Sequence, residues 1–337
     1  MVKVTQRDIA DALGVSTVTV SNALSGKKGV SETLRTEIIK KAEEMGMHPG
    51  KYGARVMDHY TIGIYVSGWY ISVGTSFYWE MYQKTAYAAS RRHCFTMLEI
   101  SDKFHEEPLP RLLQEGGKID GLIIIGKIRE DSLKSIVETA EVPIVLMDFN
   151  NPYFACDAVL SENYFGMYRA AECLASAGHQ EIGFIGDFGA YRNGTERFFG
   201  YRKCLMERGL SYDPAFTLTE KKTLSGENFV VLPKRLPTAF ACSSDYLATL
   251  LVQALEKRGL RIPEDISIAS YDHYLTTKLS FGELTTYEVD MNKMAKTAVK
   301  RLIRRMRGDT GRPVTKYVEG KIVHGDSIRH VNGAARH

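Results

Sequence analysis

Apolar residues recur at helical spacing in three short stretches at the start of the chain. Ile9, Ala10 and Leu13 form one such face, Val20, Ala23 and Leu24 a second, and Val30, Leu34, Ile38, Ala42 and Met45 a third. Thr5, with Asp8 three residues on, suits a capping box at the first helix, and Gly14 suits its left-handed end. Ser16 and Ser31 are placed to cap the second and third. The stretch from Thr5 to Gly26 therefore reads as helix, tight turn, helix. On the second helix Thr17, Val18, Ser21 and Asn22 face outward. A surface of short polar and methyl-bearing side chains is what reading the major groove requires. An ordinary helical hairpin has the same amphipathic pattern, so the choice rests on the rest of the chain.

Gly46 and Pro49 break the helical pattern, and residues 47–60 read as a linker. Lys51 to Met57 has length for one or two helical turns, but Gly50 and Gly53 make them marginal alone. The segment is either a disordered tether or one that folds on DNA.

From Thr61 the texture changes to short, wholly apolar runs alternating with helical stretches. Strands are predicted at Ile62–Val66, Phe95–Ile100, Gly121–Ile125 and Pro143–Met147, and helices at Phe77–Arg92, near Pro110–Glu115 and at Glu130–Glu138. After Ser161 the alternation restarts. Helices are predicted at Tyr164–Ala177, Thr195–Arg208, briefly around Glu227, and at Tyr246–Arg258 and Asn292–Met306. Strands are predicted at Ile182–Gly186, near Phe216, and at Ala239–Cys242, Ile266–Ser270, Leu284–Val289 and Val314–Ile322. Strands apolar throughout and separated by helices belong to parallel sheets covered on both faces. Two such halves in series suggest two lobes with a cleft between them.

Charge changes this picture little. The 337 residues carry a formal net charge of +4, and residues 1–60 hold nine Lys or Arg against seven Asp or Glu. DNA affinity must then come from geometry and dimerisation as well as from bulk charge. Cys94, Cys156, Cys173, Cys204 and Cys242 are scattered, with no paired spacing, which favours reduced thiols over a disulfide frame or zinc site. The first thirty residues have no apolar signal-peptide core, and no apolar run approaches the ~18–20 residues that span a membrane. A cytoplasmic location is expected. No nucleophile elbow, P-loop, HExxH or dinucleotide fingerprint occurs, so neither an enzyme nor a resident cofactor or metal is expected.

Taken in order, the motifs resemble the LacI/GalR family of bacterial transcription regulators over nearly the whole chain. The head pattern appears as Gly14-Val15-Ser16 and Thr19-Val20-Ser21, and the hinge pattern as Pro49 and Ala54-Arg55. The core pattern appears as Asp120-Gly-Leu-Ile-Ile, Val142-Pro-Ile-Val-Leu, Gly178-His-Gln-Glu-Ile-Gly-Phe-Ile-Gly186 and Arg197-Phe-Phe-Gly-Tyr-Arg. It continues in Ile262-Pro263, Asp265-Ile-Ser-Ile, Ser270-Tyr-Asp272, Leu284-Thr-Thr and Met294-Ala. The resemblance implies a small all-α helix-turn-helix head and an α/β two-lobed core like periplasmic binding proteins, with parallel sheets and three crossovers near 160, 290 and 318. The implied parts are a DNA-binding domain at 1–46, a hinge at 47–60, an effector-binding and dimerisation core at 61–330 and a tail at 331–337. Within the core, one lobe takes 61–160 and 291–317 and the other 161–290 and 318–330.

The resemblance also implies roles for particular residues. Thr17, Val18 and Asn22 face base edges, while Ser16, Thr19 and Ser21 reach phosphate. Thr5, Ala54, Arg55 and Met57 complete the DNA-contacting set, with Met57 standing where family members wedge a leucine into the minor groove. The family commonly has arginine at Asn22; asparagine suits adenine rather than guanine, unless it contacts only phosphate or water. Gly50 and Asp58 are departures that should weaken hinge docking. In the cleft, Asp148, Arg197 and Asp272 are the implied hydrogen-bonding groups for an effector, with Trp69, Tyr70, Tyr78, Leu160 and Ser244 beside them. Arg197 and Asp272 simply pairing with each other is the plainer alternative, as is a core role for Phe77. Ser244 and Val289 replace residues frequent in the family.

The function that follows is sequence-specific repression of a carbohydrate-related operon. The implied partners are a near-palindromic operator, a small-molecule effector (a sugar or sugar phosphate, ahead of a purine or nucleoside) and a second copy of the chain. One subgroup of the family also answers to a phosphorylated carrier protein, a further partner that the resemblance allows. The competing class is a cytoplasmic solute-binding sensor that does not act on DNA; residues 5–45 argue against it.

Overall fold

A computed structural model describes residues 4–24, 29–46, 59–68, 71, 77–102, 109–114, 119–189, 192–223, 227–274 and 279–331. They fall into two compact units, Met1–Tyr60 and Thr61–His337.

The first unit holds α1 (Gln6–Leu13), α2 (Thr17–Leu24) and α3 (Glu32–Glu44). Thr5 Oγ1 accepts from the Asp8 amide at 3.4 Å, and the Asp8 carboxylate accepts from the Thr5 amide at 2.6 Å. This is a closed capping box, satisfying donors that the first turn would otherwise leave orphaned. Gly14 ends α1 at φ 66°, where a side chain would be strained, and its amide bonds back to Ala10. Ile9, Ala10, Val20, Ala23, Leu24, Ile38 and Ala42 form the buried centre. So few apolar residues suffice because all three helices turn one face to the same point.

In the second unit the chain runs β1 (Thr61–Val66), α4 (Phe77–Ser90), β2 (Phe95–Ile100), β3 (Gly121–Ile125), α5 (Glu130–Thr139), β4 (Ile144–Met147) and β5 (Asp157–Ser161). It continues with α6 (Asn163–Ser176), β6 (Ile182–Ile185), α7 (Arg192–Glu207), β7 (Thr217–Leu218), β8 (Glu220–Lys222), β9 (Asn228–Val230), β10 (Ala239–Cys242) and α8 (Asp245–Lys257). The last elements are β11 (Ser267–Asp272), β12 (Thr285–Glu288), α9 (Met291–Met306), β13 (Thr315–Val318) and β14 (Lys321–Val323). Two six-stranded sheets result, ordered β13-β5-β4-β3-β1-β2 and β14-β12-β11-β10-β6-β7. All pairings in the first are parallel; in the second only β14 runs antiparallel to its neighbour. Every residue of β3 and β10 is buried, as central strands covered on both faces must be.

The chain passes between the sheets three times: after β5 into α6, after β12 into α9, and between β13 and β14. Asp157 makes the second and third passages fast. Its carboxylate, 1% exposed, takes Arg305 Nε at 2.6 Å and Arg301 Nε at 2.9 Å, and accepts from the Val314 amide at 2.8 Å. One buried charge thus ties β5 to α9 and to the segment entering β13. At the centre of the second lobe, α6 and α7 approach so closely that a Cβ on Gly200 would lie 2.0 Å from the Tyr164 carbonyl oxygen.

Four local expectations change. The helix expected near Pro110–Glu115 is a single 3-10 turn at Arg111–Leu113, because the Glu99 carboxylate accepts from the Arg111 and Leu112 amides and Gln114 is already extended. The short helix expected around Glu227 is instead the antiparallel β8–β9 hairpin, which seats Val230 against α8. The strand β5 carries no outward mark in the sequence. All five of its residues are buried, and its short apolar run Ala158–Leu160 is flanked by the buried polar Asp157 and Ser161. The run Val314–Ile322 is two strands in different sheets, parted at Gly320, whose amide donates to the Tyr287 hydroxyl at 2.6 Å. No described helix is long and apolar enough to cross a membrane.

Burial alone would raise the Asp157 pKa, but the bonds from Arg305, the Val314 amide and Arg301 outweigh it and hold the carboxyl below its ordinary value. Replacing Asp157 with Ala leaves two half-dry guanidinium groups unpaired and should cost about 3–5 kcal/mol of stability, read by urea unfolding at pH 7. Because the folded pKa is depressed, the wild-type advantage is full above the unfolded value of about 4 and fades as pH falls below it. A gap between wild type and variant that stays constant down to pH 3 contradicts this account.

Candidate functional site

Two groups of candidate residues lie in the described structure, one in each unit.

In the head, α2 presents Thr17 and Val18 to solvent, Val18 at 65% exposure, while Thr19, Ser21 and Asn22 are half-buried. Ser16 Oγ accepts from the Thr19 amide at 3.0 Å and shares a 2.7 Å hydrogen bond with the Thr19 hydroxyl. Ser16 is therefore the cap of α2, and Thr5 the cap of α1; neither hydroxyl is idle. Ala54, Arg55 and Met57, named above for the hinge, lie outside the described residues, as do Trp69 and Tyr70.

In the core, a buried polar cluster gathers at the carboxyl ends of strands from both sheets. Asp148 directly follows β4 and adopts φ 64°; Asp272 ends β11 at φ 113°. Left-handed backbone is costly for a residue with a side chain, and here it turns both carboxylates out of their strands. Tyr78 Oη donates to Asp148 at 3.0 Å, Ser161 Oγ at 3.3 Å and Asn193 Nδ2 at 3.1 Å. Asn193 also donates to the Asp148 carbonyl oxygen at 3.0 Å. Tyr78 comes from α4, Ser161 from β5 and Asn193 from α7, so one carboxylate collects donors from both lobes.

Arg197 lies one turn beyond Asn193 on α7. Its Nε donates to Asn163 Oδ1 at 2.9 Å and its Nη1 to the Ser243 carbonyl oxygen at 2.6 Å. Nη1 also stands 3.2 Å from Asp272 Oδ1, an ion pair without an aligned hydrogen bond, which leaves that buried oxygen with unused acceptor capacity. The guanidinium carbon lies over the Tyr271 ring, 3.8 Å from its centroid, and Tyr271 stacks in turn on Tyr287. Asp245, at the start of α8, accepts from Thr286 Oγ1 at 2.8 Å and from the Tyr274 amide at 3.3 Å. Burial pushes the carboxyl groups of Asp148, Asp245 and Asp272 above their ordinary range, against the pull of Arg197 on Asp148 and Asp272 and of hydrogen bonds on Asp245.

The remaining sequence candidates separate. Ser244 caps α8, accepting from the Leu247 amide at 3.2 Å. Leu160 is 1% exposed within β5 and joins none of the polar bonds; its apolar side chain belongs to the core. Phe77 is buried and meets Tyr78 and Tyr274 edge to face at 5.2 and 6.0 Å. Arg197 and Asp272 do pair, though Arg197 has two further acceptors. The pattern did not single out Ser161, Asn163, Asn193 or Asp245. Asn193 was findable: it stands four residues before Arg197, on the same helix face. Arg192 pairs with Glu196 one turn along α7 at 2.6 Å and, across the lobes, bonds the Asn150 side chain and donates to the Tyr317 hydroxyl at 3.2 Å. Among the described residues no group of His, Cys, Asp and Glu is arranged to hold a metal ion.

A helix-turn-helix unit beside a two-sheet α/β core with a polar cluster at its strand ends defines a DNA-binding regulator of the ligand-responsive kind. Residues 5–50 match the family model described as bacterial regulatory proteins, lacI family, and residues 171–328 match a periplasmic binding protein-like domain. The PurR transcriptional repressor of Vibrio campbellii is 24% identical over 97% of this chain and 99% of its own. The ribose operon repressor of Haemophilus influenzae is 26% identical over 96% and 98%. Among solved structures, the CelR–cellobiose complex overlays with a TM-score of 0.67 at 23% identity, covering 96% of this chain and all of the other. The lac repressor dimer bound to operator and an anti-inducer overlays at 0.64 and 19%, covering 97% and 100%. The chain carries a LacI-family DNA-binding domain joined to a periplasmic binding protein-like domain, the make-up of a LacI-type DNA-binding transcriptional regulator.

A raised folded pKa contributes stability that is present below the unfolded value and lost as pH rises through the folded one. Asp148→Asn keeps one acceptor oxygen, for Tyr78 and Asn193, and turns an amide donor toward the Ser161 hydroxyl, but removes that titration. The fall in melting temperature of the wild type between pH 4 and pH 7 should therefore be smaller in the variant. An equal fall in both would show that Asp148 does not titrate in this range.

Proposed function

We propose that the chain represses a carbohydrate-related operon and that a sugar or sugar phosphate, bound between the two lobes, sets its operator affinity. The observation that carries this reading is the cluster of Asp148, Arg197 and Asp272, built from both lobes and holding an acceptor, Asp272 Oδ1, with capacity to spare. Carboxylates accept paired hydroxyls and a guanidinium supplies fixed donors, which is the chemistry of polyol recognition. Tyr78 and Asn193 join the cluster in this reading, and Trp69 and Tyr70 supply the aromatic surface. The names of relatives point the same way: a ribose operon repressor in one case and a regulator bound to cellobiose in another.

On the DNA side, α2 reads a half-site of a near-palindromic operator through Thr17, Val18 and Asn22. Ser16, Thr19 and Ser21 face phosphate, and Thr5, Ala54, Arg55 and Met57 complete the contact. Two copies of the chain supply two heads. The effector acts by linkage: it shifts operator binding only as far as its affinity differs between two arrangements of the core. A regulator of this kind works where the chromosome is, in the cytoplasm. A phosphorylated carrier protein is a second input that the family resemblance allows. No catalytic step is assigned to the cluster.

Two measurements test the reading. A thermal-shift screen of sugars, sugar phosphates and nucleosides should give a ligand whose addition changes operator binding. Asp272→Asn should weaken that ligand at least tenfold, since a hydrogen bond to a charged group contributes about 1.5–3 kcal/mol. A ligand bound equally well by the variant would place the effector elsewhere. For the head, operators selected from a random library should carry A·T opposite Asn22, and Asn22→Ala should erase that preference. Guanine at that position, surviving Asn22→Ala, would rule the assignment out.

A further inference from the structure

Every α-helix leaves its last carbonyls without intrahelical partners, and α2 is short enough for this to matter over half its length. Its last turn contains no basic residue. The partner comes from α3. Arg35 Nη1 donates to the Ala23 carbonyl oxygen at 2.8 Å and to the Asn22 carbonyl oxygen at 3.2 Å. The guanidinium is half-buried there, and it places a positive charge at the negative end of the α2 dipole.

We propose that Arg35 is a positioning residue for base reading: it fixes the C-terminal turn of α2, and with it the angle at which Ser21 and Asn22 address the DNA. The proposal rests on the reading of α2 as the base-contacting helix. Three restraints act on α2, and they do different things. Val20, Ala23 and Leu24, each at 0% exposure, set its rotation about its own axis. The Ser16 cap, bonded to the Thr19 amide at 3.0 Å, holds its first turn. Arg35 alone among these grips the main chain of Asn22 itself. A bidentate contact from an amide side chain to a base tolerates errors of only about 0.5 Å and 10–20°. Thr17 and Val18, at the other end of the helix, are held by Ser16 and stand outside its reach. The Arg35 charge is thereby committed to carbonyl oxygens inside the head rather than to a phosphate.

The test uses the full chain and the operator recovered by selection. Affinity is measured for every single-base change in one half-site, at salt concentrations from about 50 to 200 mM. Arg35→Ala should weaken the operator about tenfold, in line with losing a charge-assisted bond of about 1.5 kcal/mol. It should flatten base preference at the position that Asn22→Ala also flattens, and leave preference opposite Thr17 and Val18 intact. The salt slope should not change, and Arg35→Lys, which keeps a charged donor, should restore most of the preference. A slope lowered by about one in Arg35→Ala would make Arg35 a phosphate contact and overturn the proposal. So would an even loss of preference at all positions with a lowered melting temperature of the head, or no loss at all. If Asn22→Ala alters no preference, the base assignment to Asn22 fails by itself. Arg35 is then judged on Ser21, the phosphate contact on the same turn: an affinity loss from Ser21→Ala that is seen in the wild type but vanishes in the Arg35→Ala background sustains the proposal, and equal losses in both backgrounds overturn it.

Discussion

The core is organised around the cost of burying Arg197. A guanidinium at this depth is tolerable only if nearly every donor finds an acceptor and an opposing charge lies close. The chain meets that demand from widely separated places: Asn163 at the first passage between sheets, the Ser243 carbonyl after β10, Asp272 at the end of β11 and the Tyr271 ring beneath. Because these partners come from different strands and from α6, satisfying one side chain fixes the mutual placement of several elements. What is left over is the part proposed to meet an effector. Asp272 keeps an unused acceptor, and Asp148, brought alongside by Tyr78, Ser161 and Asn193, adds a second carboxylate.

The same logic recurs at a smaller scale in the head and at the far edge of the first sheet. Arg35 serves the end of α2, and Asp157 binds α9 and the start of β13 to β5. In each case a charge is spent inside the protein to hold an element whose own sequence is too short to hold itself. β5 has five residues and α2 has eight. Neither is stable alone, and local propensity could not have set the orientation of either.

Arg192 and Asn193 open a link between site and mechanism. Both stand at the first turn of α7, in the second lobe, and both bond to the first: Arg192 to Asn150 and Tyr317, Asn193 to Asp148. The described arrangement of the lobes is thus held by polar bonds of the sort that a polyol ligand would compete for or add to. Polar latches of this kind contribute little net free energy each, so a ligand competing for them would need only a modest differential affinity to act by the linkage proposed above.

Sequence by itself determined the elements with strong periodicity and clear caps. α1 with Thr5, Asp8 and Gly14, the buried faces of α2 and α3, and the apolar central strands β3 and β10 all follow from the order of residues, because each is decided by neighbours within a few positions. It also marked Asp148, Arg197 and Asp272, through the motifs that carry the family resemblance. Only tertiary structure decided the rest. β5 was hidden because two buried polar residues imitate a loop, and Asp157 is affordable there only because Arg301 and Arg305, far along the chain, arrive to pair with it. The split of Val314–Ile322 between two sheets, the withdrawal of Leu160 into the core and the arrival of Asn163 at the cluster depend likewise on partners distant in sequence. A polar group shows its role only when its partner is in place, and the linear pattern holds no record of that pairing.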